Sequence, residues 1–285
     1  MVQKTQRLRA QLNRHLDGLE ELDELSDERY HTTHERFESA SNQREQILQW
    51  FERFIAENNS PDNRHFELLS VGCGGGVMDR KIAEVFAASN GSVELTGVDP
   101  NPEHITAFES IFSNSPHRVH TYTGSFDDFQ TDRRFDVVYF LHCLYYFDQI
   151  EPALARAADC LRPGGSVVVL QAPNDDLNHL ADKVWHKQFD QSAWFSDDIH
   201  QVLQSMDGET RCKRIEASVD VTACFEHECT AGTELLDFIV QADTRRFSSA
   251  FRRTILDSLR AICKPAKGGL RVAHPVDAMV YTPQH

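Results

Sequence analysis

The sequence of 285 residues predicts an α/β protein with a doubly wound, mostly parallel sheet. Between residues 66 and 172, short apolar runs alternate with stretches in which apolar residues recur at helical spacing. The runs are FELLSVG, SVELTGV, FDVVYFL and GGSVVVLQA. Each run is largely apolar rather than alternating, which is typical of strands buried on both faces, and the alternation with helices favours parallel strands.

Residues 1–60 are expected to form an N-terminal helical cap. This stretch is polar and rich in Glu, Gln and Arg. Its apolar residues recur at helical spacing, as at Ile47, Leu48, Phe51, Phe54 and Ile55. The turn-forming residues of ENNSPDNRH, at 57–65, end this region.

The alternating region, residues 62–172, is the predicted cofactor-binding core, and residues 173–285 are predicted to bind substrate and to supply the last strands. After Ala172 the patterns predict, in order, loops and helices (173–210), a candidate strand (211–222), a helical stretch (232–263) and a late strand (276–282). We expect residues 1–285 to form a single domain, since the length suits one α/β domain with additions.

Charge and cysteine content argue against several classes of partner and location. A formal net charge of −15 repels phosphate backbones and anionic lipid, so we expect no nucleic acid and no membrane as partners. A small-molecule substrate and a monomeric chain are expected instead. Seven cysteines, an odd number without repeated spacing, indicate reduced thiols. The first residues lack an apolar signal segment, and we therefore expect a cytoplasmic protein.

A glycine-rich turn and a following acid predict a nucleoside cofactor. LLSVGCGGGVMD places Gly72, Gly74 and Gly76 between a strand and a helix, where glycine lets backbone N–H groups approach a ligand. Asp99 ends the next apolar run, where a carboxylate can accept hydrogen bonds from a ribose diol. The loop lacks the G-x-G-x-x-G spacing and a P-loop lysine, which argues against nicotinamide and nucleoside triphosphate.

This loop and acid, together with GSFDDF (124–129) and LRPGGSVVV (161–169), resemble the S-adenosylmethionine-dependent methyltransferases. The resemblance implies a Rossmann-like class I methyltransferase fold, with a seven-stranded, mostly parallel sheet and an added helical substrate-binding region. It also implies S-adenosyl-L-methionine as the cofactor. Ser70 departs from the pattern, because an acid usually leads the glycine loop.

A narrower resemblance is to the histamine N-methyltransferases. It rests on YHTTHERF (30–37), CLYYFDQIEPAL (143–154), DKVW (182–185) and CFEHECTAGTELLDF (224–238). The cofactor positions that the two resemblances imply are Gly72, Gly74, Gly76, Asp99, His104, Ser125, Phe126 and Leu141. The candidate substrate-binding residues are Tyr30, His34, Gln43, His142, Tyr145, Tyr146, Trp185, Phe238 and His274.

The substrate positions contain several departures from that family. Gln43 stands where the family has a glutamate that binds the imidazole, and His142 stands where it has a glutamine. Ala181 replaces one of the family's tryptophans, and Pro275, next to His274, replaces an asparagine. The resemblance therefore supports the type of reaction more strongly than the identity of the substrate.

The predicted reaction is N-methylation of a small imidazole or amine such as histamine. His142 and Gln43 are the candidate catalytic residues, since His142 could accept a proton and Gln43 could orient a substrate nitrogen. Two alternatives remain: methylation of another small-molecule nucleophile, at a hydroxyl or carboxyl oxygen, and a non-catalytic paralogue that retains the cofactor. No metal is expected, because neither HTTH (31–34) nor CFEHEC (224–229) has the spacing of a structural zinc site.

Overall fold

A computed structural model of the protein describes residues 2–17, 25–57, 65–88, 91–189 and 193–284. The helices in these ranges are α1 (Val2–Asp17), α2 (Asp27–Ala40), α3 (Gln43–Glu57), α4 (Val77–Ala88), α5 (Pro102–Phe112), α6 (Ile150–Asp159), α7 (Asp176–Phe189), α8 (Ser196–Ser205), α9 (Thr230–Val240) and α10 (Ser249–Ile262). The strands are β1 (His65–Val71), β2 (Ser92–Asp99), β3 (Arg118–Thr123), β4 (Phe135–Leu141), β5 (Leu161–Gln171), β6 (Gly208–Ile215), β7 (Ser218–Asp220), β8 (Lys264–Ala266), β9 (Gly269–Ala273) and β10 (Val276–Pro283).

The chain divides into two compact units. The first unit comprises Met1–Gln43, Pro173–Ala193 and Glu216–Pro275. The second unit comprises Arg44–Ala172, Trp194–Ile215 and Val276–His285. The sequence-based division into one domain with a cap, a core and a substrate region stays a prediction. The compact units have different boundaries, because most of α3 belongs to the second unit.

The second unit contains a seven-stranded sheet in the order β3-β2-β1-β4-β5-β10-β6. The pairs among β1 to β5 are parallel, and β10 runs antiparallel between β5 and β6. This arrangement confirms the predicted Rossmann-like, mostly parallel sheet. Val71 pairs with Val98 on one side and with Phe140 on the other, so β1, β2 and β4 end together at one edge of the sheet.

Apolar side chains cover both faces of this sheet. On one face, α3 contributes Ile47, Trp50 and Phe51 to a core shared with α4 and α5. The helical spacing of these residues places them on one side of α3, and Phe51 is fully buried. On the other face, α6 and α8 cover the strands through residues such as Leu154 and Ile199.

Two carboxylates pair across neighbouring strands near the amino ends of β1 and β2. Glu67 and Glu94 are in register, and both accept hydrogen bonds from Arg133. Burial alone would raise the pKa of Glu94, but hydrogen bonds from Arg133 and His120 lower the pKa to about 2. His65, Glu67 and Glu94 have potential metal-ligand atoms within 4.8 Å of one another. The Arg133 guanidinium already supplies a positive charge that balances the Glu67 and Glu94 carboxylates.

The first unit is built on helix pairs and a small antiparallel sheet. Helix α2 packs on α9, and α1 packs on α10. Strands β7, β9 and β8 form the small sheet in that order. The predicted strand over 211–222 is wrong in one respect, because this stretch contains β7 and most of β6, which pair in different sheets. No helix among the described residues is long and apolar enough to cross a membrane.

Replacement of Phe51 by alanine should destabilise the second unit by about 3–5 kcal/mol, because it leaves a cavity in a fully buried part of the core. Denaturant unfolding followed by tryptophan fluorescence would measure the shift in midpoint. Glu52→Ala is the matched control, since Glu52 is the exposed neighbour on the same helix. Equal midpoints for the two variants would contradict the packing of α3 described above.

Candidate active site

The glycine loop after β1 adopts backbone angles that favour glycine. Gly72, Gly74 and Gly76 have φ values of 65°, 53° and 77°. A Cβ atom at Gly72 would lie 2.6 Å from Cβ of Cys143, and one at Gly76 would lie 2.6 Å from the Phe108 ring. Both conformation and space therefore require glycine at Gly72 and Gly76. The N–H groups of Gly72 and Gly76 donate to Val98 O and Cys73 O, so hydrogen bonds within the chain hold the turn in this conformation.

Asp99 connects this loop to the end of β2. Its Oδ2 accepts a hydrogen bond from Gly74 N at 2.9 Å, and its Oδ1 accepts one from Asn101 N at 2.9 Å. Oδ1 also lies 3.1 Å from His104 Nδ1. Each carboxylate oxygen can accept two hydrogen bonds. The buried Asp99 carboxylate thus holds the loop and keeps acceptor capacity for ligand hydroxyls.

Three other predicted cofactor residues lie at or after the carboxyl ends of β3 and β4, each in a different environment. Ser125 Oγ donates to Asp128 Oδ2 at 2.7 Å within its own turn. The Phe126 ring is buried in the core, with its centroid 5.9 Å from that of Phe140. Leu141 ends β4 and is half-buried. A role for Ser125, Phe126 and Leu141 in cofactor binding stays a prediction.

Asp79 is a buried carboxylate that the sequence analysis missed. It lies in the first turn of α4, directly after the glycine loop, and accepts a hydrogen bond from Tyr139 Oη at 2.6 Å. Burial raises the pKa of Asp79, while hydrogen bonds from Ser70 and Tyr139 act in the opposite direction. Ser70, at the position of the usual leading acid, thus bonds to a carboxylate from elsewhere in the chain. An acid at the start of a helix that follows a glycine loop was the available signal.

His142 follows β4 in a left-handed conformation, with φ of 51°. Its backbone N–H donates to Leu170 O at 3.0 Å, which holds it beside the end of β5. Its Nδ1 lies 3.4 Å from Tyr145 Oη, and that hydroxyl accepts a hydrogen bond from Ala172 N at 3.2 Å. Positive φ at a residue other than glycine is uncommon and is found preferentially at functional sites.

The neighbouring side chains have contrasting exposure. Tyr146 is 64% exposed, whereas Cys143 is buried and donates a hydrogen bond from Sγ to Val71 O at 3.0 Å. Burial raises the pKa of the Cys143 and Cys73 thiols well above the ordinary value. Since the thiolate is the reactive form, neither cysteine is suited to act as a nucleophile.

A second set of predicted residues lies in the first unit and forms an aromatic cluster. The cluster consists of Tyr30, His34, Phe37, Phe238 and His274. Ring centroids of His34 and Phe238 are 5.3 Å apart, and those of Phe37 and Phe238 are 4.7 Å apart. His274 meets Phe37 edge-on at 4.8 Å. Phe37 is buried in the core, whereas Tyr30, His34 and Phe238 are partly exposed. Exposed faces of such rings can pack against a flat ring and can stabilise a cation.

Gln43 uses its side-chain amide to hold the chain around His274. Its Nε2 donates to His274 O at 2.9 Å and to Pro275 O at 3.4 Å. From the sequence, Gln43 is predicted to orient a substrate nitrogen. The structure places it as a partner of the backbone that carries His274, so any effect on substrate includes this positioning.

Ion pairs join α2 to α9, the two helices that carry most of the aromatic cluster. Arg29 bonds to Asp237 Oδ2 through Nε at 3.0 Å and Nη2 at 2.6 Å. Arg36 Nε lies 3.0 Å from Glu234 Oε2. These interactions neutralise two carboxylates of α9 and fix α9 against α2.

For Trp185, a predicted substrate residue, only the position in the chain is described. Trp185 belongs to α7, but its side chain falls outside the described residues. The remaining predicted substrate residues therefore form two sets: His142, Tyr145 and Tyr146 in the second unit, and Gln43 with most of the aromatic cluster in the first.

Comparisons with known proteins agree with the fold. A family model described as a methyltransferase domain matches residues 39–218, which is more than half of the chain. The chain is 23% identical to carnosine N-methyltransferase 2 of Gallus gallus, over 70% of this chain and 66% of that protein. It thus spans just under two thirds of that relative. It is 24% identical to histamine N-methyltransferase of Xenopus tropicalis, over 73% of this chain and 77% of that protein.

Solved structures show the same fold at low sequence identity. The plantazolicin methyltransferase BpumL, solved in complex with S-adenosylhomocysteine, has a TM-score of 0.53 and is 15% identical. The match covers 91% of this chain and 92% of that one. With the family match over residues 39–218, the chain belongs to the methyltransferase-domain family and is an S-adenosyl-L-methionine-dependent methyltransferase.

Proposed function

We propose that the protein is an N-methyltransferase that methylates a small imidazole or amine such as histamine. The observation that carries this proposal is the aromatic cluster of the first unit, because N-methylation produces a cation that π faces stabilise. The two curated relatives, which are N-methyltransferases named for histamine and carnosine, support the same class of substrate.

The donor site that we propose consists of the glycine loop, Asp99 and His104, with Ser125, Phe126 and Leu141 beside them. Two observations support it: the positive φ values at Gly72, Gly74 and Gly76, and the acceptor capacity of Asp99. S-adenosylmethionine supplies an electrophilic methyl group when bound. Asp99 would accept hydrogen bonds from its ribose hydroxyls, and His104 would extend that polar edge.

The protein's main contribution to the reaction would be to hold the substrate nitrogen unprotonated, desolvated and in line with the methyl group. In the second unit, His142 is the residue that we propose to contact the substrate. Its imidazole is oriented by Tyr145, whose hydroxyl is held by Ala172 N. His142 could accept a hydrogen bond or a proton from the substrate, and Tyr145 and Tyr146 would line the same surface.

The second candidate function is methylation of an oxygen nucleophile. The replacement of the family's glutamate by Gln43 favours this alternative, since a charge that could pair with a cationic substrate is lost and the Gln43 amide bonds to backbone carbonyls. A chain that binds the cofactor without turnover is the third possibility. The monomeric state, the cytoplasmic location and the lack of nucleic-acid partners stay predictions.

Asp99→Asn should weaken binding of S-adenosylmethionine by more than about tenfold. Both carboxylate oxygens accept backbone N–H groups, so an amide would place its NH2 against a donor and lose an acceptor for the ribose. Titration calorimetry measures the affinity, and Glu103→Gln, an exposed site at the start of α5, is the control. Affinity within twofold of the wild type would refute the donor-site assignment.

A panel of histamine, a catechol and a small carboxylic acid tests the acceptor class. We expect methylated histamine, identified by product mass and by the position of the new methyl group. A methylated oxygen product alone would favour the second function. Cofactor binding with no product from any acceptor would favour the third.

His142→Asn should lower kcat/KM for the methylated acceptor by at least about tenfold while the thermal midpoint changes little. Asparagine tolerates the positive φ of this position, so the variant removes the imidazole without adding backbone strain. His142→Ala is the comparison, because alanine adds strain at the same φ. Full activity in His142→Asn would remove His142 from the proposed site.

A further inference from the structure

Buried carboxylates in this protein lie next to cationic side chains, with one exception. The described residues contain eight buried Asp and Glu side chains. Seven of them have an Arg or His nitrogen within 4.0 Å: Glu94, Asp99, Asp136, Glu234, Asp237, Asp243 and Asp277. The eighth is Asp79, for which no ion pair exists within the described ranges. Asp79 is 4% exposed, so bulk water cannot compensate its charge either.

The hydrogen-bond partners of Asp79 are neutral side chains. Tyr139 Oη donates to its Oδ1 at 2.6 Å, which fits an ionised carboxylate because that form only accepts. Burial raises the pKa of Asp79, whereas hydrogen bonds from Ser70 and Tyr139 and the more distant charge of Arg44 act in the opposite direction. The first turn of α4, where Asp79 lies, also favours negative charge through the helix dipole. The carboxylate is thus held in place without a paired cation.

Asp79 and Asp99 both act on the glycine loop of the second unit. Asp99 accepts a hydrogen bond from Gly74 N at 2.9 Å, and Asp79 lies in the helical turn directly after the loop. Burial raises the pKa of the Cys73 and Cys143 thiols, and the charges of both carboxylates add to this effect. A cation bound at the loop would therefore lie in the field of Asp79 as well as that of Asp99.

Charge distinguishes the methyl donor from its product. S-adenosylmethionine carries a positive sulfonium besides its ammonium and carboxylate. Methyl transfer breaks the carbon–sulfur bond and leaves its electron pair on sulfur, while the acceptor gains the methyl group and the positive charge. The remaining S-adenosylhomocysteine is a neutral thioether with the same adenine, ribose and amino-acid groups. An unpaired carboxylate near the donor therefore attracts the sulfonium of one ligand and has no such partner in the other.

We propose that Asp79 is a specificity-determining residue for the donor, because its negative charge favours the sulfonium of S-adenosylmethionine over the neutral sulfur of S-adenosylhomocysteine. This inference rests on the proposed donor site and is independent of the acceptor. An unpaired buried charge destabilises the free protein, and the cationic donor offsets this cost when it binds. Since methyl transfer removes the attraction, Asp79 also favours release of the product.

Asp79→Asn removes the charge and keeps an acceptor for Tyr139. We expect the Kd for S-adenosylmethionine, divided by the Kd for S-adenosylhomocysteine, to rise at least about fivefold in this variant, as for loss of one charge interaction in the protein interior. Titration calorimetry of the full-length protein with each ligand measures this ratio. A purely structural role would weaken both ligands alike, since they share every other group. An unchanged ratio would therefore overturn the proposal.

Glu84→Gln is the matched control, because Glu84 is an acid on the same helix with 55% of its side chain exposed. Solvent screens its charge, so the ratio should equal that of the wild type. A rise as large as that of Asp79→Asn would contradict the proposal, since net charge alone would then explain the effect. If Asp99→Asn binds both ligands as the wild type does, the donor site itself fails. If Asp99→Asn weakens binding but Asp79→Asn keeps the ratio, the donor site stands and only the role of Asp79 fails.

An exchange variant tests the same charge from the other side of a hydrogen bond. Ser70→Asp combined with Asp79→Ser moves the carboxylate to the side chain that bonds to Asp79 in the wild type. We expect this double variant to regain most of the wild-type ratio, whereas Asp79→Ser alone should resemble Asp79→Asn. Equal ratios in the double and single variants would contradict the proposal. This comparison also decides the question if Asp79→Asn does not fold.

Discussion

The hydrogen bond from Gly74 N–H to Asp99 joins the turn after β1 to the end of β2, and the candidate donor site depends on it. It forms because neighbouring parallel strands end at one edge of the sheet, which brings residues 25 positions apart in sequence within 2.9 Å. The glycine conformations that permit this approach would be strained in other residues. The conformation of the loop is therefore fixed by hydrogen bonds within the chain.

A group of hydrogen bonds also fixes part of the backbone in the first unit. Gln43, Ser41 and His274 form one hydrogen-bonded group, in which Ser41, directly after α2, and Gln43, the first residue of α3, hold a histidine that precedes β10. The Gln43 amide donates to the carbonyls of His274 and Pro275, which a glutamate carboxylate could not do.

Much of the fold could be predicted because its signals are local. Four apolar runs, one glycine loop and an acid at a strand end identify parallel strands and the candidate donor loop from local sequence alone. The insertion of β10 between β5 and β6 was not predictable in this way. The division of residues 211–222 between β6 and β7 was not predictable either, because the apolar pattern of a strand does not indicate which sheet it joins. Asp79 was missed for a related reason, as its partner Tyr139 is 60 residues away.

By itself, the sequence determined the class of the fold, the glycine loop with Asp99, the methyltransferase family and the aromatic residues that could receive a cation. The tertiary structure decided what the polar side chains do. The position of His142 beside Leu170, the use of Gln43 to hold the backbone and the contact between Ser41 and His274 all depend on partners far away in the chain. Hydrogen bonding is directional and short-ranged, so the role of a polar side chain follows from its neighbours in space.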